Sequence, residues 1–280
     1  MSWTNREDAV WNEIVEWESA QFEREGTDFS LTYQKWLNKS IEMLDSKWKK
    51  NMLTTLDSIL FHLHATVQQG RFDQQATDFL LTQARVFRDD INTVEDMKKL
   101  SIDQLRFIAK KQLAKQRLTS FAQGGITGVG GIMFTLSDLP LMLAINLRTI
   151  QLTALTYGYD LRKPYEMMLV LKLFHAISLP SHLRKEAWEQ LFFELGSTDD
   201  SFMFYEGEED IMSEAWMQQP LNNVAKLIFL SFARKKVIQG IPVLGIAFGA
   251  SVNYQFTRRV SEAAHMFYQK RALLERREED

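Results

Sequence analysis

The sequence predicts an all-α fold, a single-domain multi-helix bundle with a glycine-rich apolar helical core. Apolar residues recur at helical spacing along most of the chain, and residues that start and stop helices punctuate that pattern. No alternating β-branched run bounded by turn residues is present to suggest a strand.

In chain order, Trp11, Ile14, Val15, Trp17 and Phe22 form the apolar face of a first helix from about Asn5 to Arg24. Tyr33 to Lys50 follows, with Trp36, Ile41, Leu44 and Trp48, and then Met52 to Gln69, with Leu53, Leu56, Leu60 and Leu63. Gly70 breaks the pattern, and Asp73 to Phe87 is a shorter helix. Thr93 caps a short turn, and Ser101 with Gln104 makes a capping box that opens a long helix toward Ala122.

Beyond Gly131, Ser137 caps a helix with Asp138 in its first turn and Pro140 just after. An amide proton is not needed there, and the helix dipole favours the carboxylate. That helix ends at Gly158, and Asp160 to Pro164 is a turn. Tyr165 to Leu179 is strongly apolar, Pro180 starts another helix, and Gly196 stops it. Residues 196–214 carry seven acidic side chains and no basic one, which reads as a solvated loop. Pro220 opens a helix to about Gly240, and Pro242 opens the last, which reaches the charged tail at Glu275. The single domain thus has an amphipathic part over 1–100 and a glycine-rich apolar part over 101–280.

Five of the 13 glycines, Gly124, Gly125, Gly128, Gly130 and Gly131, fall in a 30-residue window whose only charged residue is Asp138. A second uncharged run, Val237 to Thr257, carries Gly240, Gly245 and Gly249. A phosphate loop does not fit: no Gly-Lys-Ser/Thr follows the cluster, and Met133 stands where a third nucleotide-loop glycine belongs. Helix packing fits better, because Gly124 with Gly128 and Gly245 with Gly249 are Gly-x-x-x-Gly pairs that put a flat strip on a helix. The expectation is contact between these two distant segments.

The chemistry is sparse. A net charge of −3 argues against nucleic acid as a partner, and the absence of cysteine removes thiolate metal sites and cysteine nucleophiles. No apolar core of signal-peptide length stands at the start. His62 and His64 point to different helix faces, Glu262 with His265 is one half of a di-iron motif without its counterpart, and His175 and His182 read as structural. No metal, cofactor or nucleophile motif is implied. Asp138 is either a helix cap or an ionisable group beside a membrane-like segment.

Leu118 to Leu136 and Val237 to Thr257 are poor membrane spans, broken by glycine, threonine, glutamine and asparagine. Their flanks are basic: Arg106, Lys110, Lys111, Lys115 and Arg117 before the first, Arg234, Lys235, Lys236, Arg258 and Arg259 around the second. Such flanks attract anionic headgroups at around 1 kcal/mol per charge. A hairpin buried in the protein or inserted partway into a bilayer is expected.

The stretch Gly125 to Gly131, Asp138-Leu-Pro140, Leu147 to Gln151 and Tyr157-Gly-Tyr-Asp160 resembles the central signature of the EcsC family. Ile241 to Gly245, Gly249 to Asn253 and Ala264 to Arg271 resemble that family's C-terminal signature, and Trp17-Glu18 is also similar. The resemblance implies a bacterial protein whose namesake is encoded beside a two-component ABC transporter linked to protein secretion and processing. It passes on no catalytic residues. The Asp-Leu-Pro and Tyr-Gly-Tyr-Asp region is also similar to the hydrophobic helical domain that follows some bacterial GTPase domains, which points to the inner face of the membrane.

The expected function is therefore a non-enzymatic, peripheral membrane protein on the cytoplasmic face, accessory to an ABC transporter or a secretion process. The rival is an enzyme or ligand-binding protein with a pocket beside Asp138, Arg148 and Tyr159. A scaffold that oligomerises through the Gly-x-x-x-Gly faces is a third reading. The candidate functional or packing residues are the five clustered glycines, Asp138, Pro140, Arg148, Tyr157, Gly158, Asp160, Gly245, Gly249 and Asn253.

Overall fold

The computed structural model describes residues 4–22, 62–63, 65–68, 73–128, 139–179, 183–196 and 245–278. The helices expected over 33–50 and 220–240, most of that over 52–69, the Ser137–Asp138 start, Pro180, Gly130, Gly131 and the acidic loop lie outside the described residues.

Among the described residues every regular element is helical, and the fold is all-α. The α-helices are α1 (Asn5–Gln21), α2 (Gln74–Arg85), α3 (Ile102–Gly128), α4 (Leu139–Thr156), α5 (Pro164–Ser178), α6 (Arg184–Gly196) and α7 (Gly245–Glu278), with a 3-10 turn over Glu95–Lys99 before α3.

Local chemistry accounts for the starts. The Thr4 hydroxyl accepts from Glu7 N at 3.3 Å while Thr4 N donates to the Glu7 carboxylate at 3.0 Å, a reciprocal capping box for α1. Asp73 accepts from Ala76 N at 2.9 Å and caps α2. The Ser101–Gln104 box opens α3 as its spacing predicts, with Ser101 N donating to Gln104 Oε1 at 2.9 Å. Pro164 is the first residue of α5 rather than the end of the preceding turn, because its fixed φ suits a first helical turn.

Two helices outrun their expected ends. α3 passes Ala122 and holds Gly124, Gly125 and Gly128 inside it, and α7 carries on through the charged residues to Glu278. A glycine costs a helix about 1 kcal/mol relative to alanine, and tertiary contact overrides a penalty of that size. Here the contact is between α3 and α7, the most extensive helix pair of the described residues.

That pair is antiparallel. Arg117 lies 3.8 Å from Glu262, whereas Arg276 donates to Leu100 O at 2.6 Å, so numbering rises along one helix as it falls along the other. The glycine-bearing ends of the two helices, Gly124 to Gly128 and Gly245 to Gly249, therefore lie toward the same end of the pair. Side chains next to α7 come from every side. α1, α3, α4 and α5 all pack on it, and Val260, Ala264, Phe267, Tyr268 and Leu273 are fully buried. Full burial of one such large side chain stabilises by about 1.5–3 kcal/mol.

α4 ends as its glycine predicts. Tyr159 N donates to Ala154 O and Gly158 N to Leu155 O, each at 3.1 Å, which is a Schellman closure around Gly158 at φ +88°. A Cβ there would stand 2.7 Å from Lys98 Cγ and 3.2 Å from Lys98 N. Gly158→Ala is expected to destabilise by about 1–3 kcal/mol from the left-handed backbone and the crowding together. A urea unfolding midpoint equal to that of the parent protein would refute this.

Candidate functional site

The turn that Gly158 makes holds Tyr157 and Tyr159 inside the protein, against α7. Tyr157 shares a hydrogen bond with His265 Nδ1 at 3.2 Å. Burial, with Arg106, Lys110 and Arg117 nearby, pushes His265 down to about 3, so the ring is neutral at physiological pH. Burial pushes the hydroxyls of Tyr157, Tyr159 and Tyr268 upward, which keeps them protonated. Asp160, itself buried, is held by its own turn: its carboxylate accepts from Arg162 N at 2.9 Å and Arg162 Nε at 2.8 Å. Burial raises its pKa, but these bonds win and hold it below the usual carboxylate range.

One helical turn beyond Tyr268 lies Arg271, a buried polar group with several partners. Its terminal nitrogens donate to both oxygens of Glu166 at 2.6 and 2.8 Å, and its Nε donates to Glu275 at 2.9 Å. The Glu166 and Arg271 side chains are each 9% exposed. The guanidinium stacks on the Tyr159 ring at 3.8 Å from the centroid, and Lys98 Nζ covers the same ring at 4.7 Å while pairing with Glu275 at 2.7 Å. Burial pushes Arg271 down, but the Glu166 hydrogen bonds outweigh it and raise its pKa. A guanidinium with its fork filled by two carboxylates and its face covered by a ring has nothing left for a ligand. Chemically this cluster is a clamp that joins α5, α7 and the turn after α4.

The structure separates two residues that the sequence grouped. Arg148 is ion-paired with Asp73, the α2 cap, and lies over two helical turns before Tyr159. Beside it, Gln151 reaches Thr66 O at 3.1 Å. Asp138 lies outside the described residues. Pro140 is in the first turn of α4, and Gly245, Gly249 and Asn253 are in the first turns of α7. Glu262 pairs with Arg258 at 2.7 Å and does not share a site with His265. Among the described residues no three His, Asp or Glu side chains gather to hold a metal ion.

Sequence reasoning passed over Glu166 and Lys98. The signal for Glu166 was an acid in the first turn of an otherwise strongly apolar helix. Its partner stands 105 residues away, and no spacing rule connects the two.

These residues fall within a recognised family. The model of the EcsC protein family matches residues 8–273, nearly the whole chain. The chain belongs to the EcsC protein family. The relatives it resembles include two from Bacillus subtilis (strain 168). The Uncharacterized protein YdbA is 26% identical over 218 residues, which cover 75% of this chain and 76% of that protein. The Protein EcsC is 25% identical over 181 residues, or 65% of this chain and 69% of that one. No solved structure matches the chain. The matched region includes the 157–160 turn, Lys98, Glu166 and Arg271, so all of the clamp except Glu275 lies inside the family domain.

Two expectations follow from the buried groups. Arg271→Met leaves the Glu166 carboxylate buried without its partner and should cost about 3–5 kcal/mol, whereas Glu166→Leu with Arg271→Met should recover most of that loss. Equal losses in the single and double variants, measured by urea unfolding, would contradict the clamp. Burial also holds His175 at about 4 and His265 at about 3 against an ordinary 6.5. The unfolded chain binds protons below 6.5 that the folded chain refuses, so stability should fall from about pH 6.5 toward 4, by about 1.4 kcal/mol per unit for each histidine at most. His265→Gln should flatten that decline in the pH dependence of the unfolding midpoint.

Proposed function

We propose that this protein works as a non-enzymatic, peripheral membrane protein that docks on anionic lipid through the glycine-bearing end of the α3/α7 pair. The observation that carries the reading is the convergence of two uncharged helical ends with a basic belt beneath them. α3 has no charged residue from Leu118 to Gly128, and α7 has none from Gly245 to Thr257. Just inside those stretches stand Lys110, Lys111, Lys115 and Arg117 on α3, and Arg258 and Arg259 on α7. Large apolar side chains are exposed there as well, Leu118 at 68% and Tyr254 at 38%.

Lengths favour partial insertion. At 1.5 Å per residue the uncharged stretches are about 16 and 20 Å long, close to the ~15 Å of one leaflet of the hydrocarbon core. No helix of the described residues is long and apolar enough to cross a membrane. In this reading the chain sits on the cytoplasmic face as an accessory to an ABC transporter or a secretion process, as its family likeness implies.

Co-sedimentation with vesicles tests this. The protein should sediment with phosphatidylglycerol-containing vesicles, release in high salt, and stay in the supernatant when mixed with pure phosphatidylcholine vesicles. Lys111→Glu with Lys115→Glu should weaken binding by at least about fivefold per charge. Salt-independent binding, or none at low salt, would rule the reading out.

A further inference from the structure

Exposed apolar surface is concentrated in one place. Of the nine large apolar side chains exposed among the described residues, Phe79, Val86, Phe87, Phe107 and Leu118 belong to α2, the turn after it, or α3. Val86 is 81% exposed and Phe107 61%. Leu80, Leu81 and Ala84 are the side chains that bury α2, so its exposed phenylalanine is not what holds the helix to the core. A patch of this kind on a folded chain marks an interaction surface.

Two contacts order the patch. Phe87 meets Phe107 edge to face with ring centroids 5.9 Å apart, and Lys115 Nζ stands 5.4 Å from the centre of the Phe79 ring. From the first contact to the second, numbering falls by eight on the α2 side and rises by eight on the α3 side. The two helices therefore run antiparallel, and the contacts lie about 12 Å apart along them. Phe79, Phe87 and Phe107 line the seam between the helices. Such a seam is a groove in which an amphipathic helix lays its apolar face, and about 12 Å is roughly two of its turns.

Charge differs on the two sides of the seam. On the α3 side Lys110, Lys111 and Lys115 are exposed, while Asp103 of that helix is held by Arg6 at 2.8 Å. On the α2 side Asp78 and Asp89 are exposed, and Asp90 is paired with Arg88 at 2.9 Å. Arg85, the exposed cation of α2, donates its Nε to Ile91 O at 2.8 Å. An anionic bilayer suits the lysines but is repelled by carboxylates beside Phe79 and Phe87. A helix with one acidic flank and one basic flank suits both sides.

We propose that the α2/α3 seam binds an amphipathic helix of another protein, with its apolar face on Phe79, Phe87 and Phe107, its acidic flank toward Lys111 and Lys115, and its basic flank toward Asp78 and Asp89. The site does not rest on the lipid docking proposed above, because Phe87 and Phe107 lie toward the opposite end of α3 from Gly128. An interface this short is transient, and its aromatic residues carry most of the affinity.

Fluorescence anisotropy on the full chain tests this with a labelled, lactam-stapled peptide about three helical turns long. Leucines form its apolar face, glutamates one flank and lysines the other. Saturable binding is expected, and a control peptide with lysine on both flanks should bind about tenfold more weakly, because its charges oppose Lys111 and Lys115. Phe107→Ser should weaken the striped peptide about tenfold or more, with Tm near that of the parent since the side chain is mostly exposed. The same variant should sediment with phosphatidylglycerol vesicles as the parent does. The proposal is overturned if the striped peptide does not bind saturably, if Phe107→Ser binds it as the parent does, or if the all-lysine control binds equally well. With the peptide inert, loss of vesicle binding in Phe107→Ser would give the patch to lipid, and loss of self-association in sedimentation velocity would give it to a second copy of this chain.

Discussion

Helix α7 sets the terms for everything packed around it. It is 34 residues long and meets α1, α3, α4 and α5, so most of its middle is buried, with only the stripe of Arg258, Glu262, Met266 and Lys270 reaching toward solvent. Apolar residues in such a helix are stabilised on every side. Polar ones must find partners from whichever helix lies opposite, because a buried charge without a partner costs several kcal/mol.

The partners are spread accordingly. Lys270 meets Glu18 of α1, Arg271 meets Glu166 of α5, Glu262 meets Arg117 of α3, and His265 meets Tyr157 at the end of α4. Each pair fixes the rotation and height of one neighbour relative to α7. Net stability from a buried ion pair is small, since desolvation offsets most of the attraction, so the value of these pairs lies in choosing one packing arrangement. The antiparallel register with α3 follows from the same contacts, and it is this register that sends the two glycine-rich ends to one end of the pair.

Much of the fold could be read locally. The Ser101–Gln104 box and the Gly158 stop each need only a few neighbouring residues to act, and the structure has both. Less of the interior was legible. Tyr157, Gly158 and Asp160 do come together at one turn, but Arg148 faces Asp73 and Tyr159 faces Arg271, so the two do not share a site. Gly124 and Gly128 do lie on a helix, as their Gly-x-x-x-Gly spacing predicts, and that helix is α3 itself, which runs past Ala122 to Gly128.

The amino-acid order by itself determined the helical class, most caps and stops, the two uncharged glycine-bearing runs and the family likeness. Those properties arise from spacing within a turn or two of helix, where the chain's own connectivity supplies the neighbours. Only the tertiary structure decided that Glu166 answers Arg271 and that Glu18 answers Lys270. Partners separated by 105 and 252 residues meet through helix packing, and no local rule carries that information.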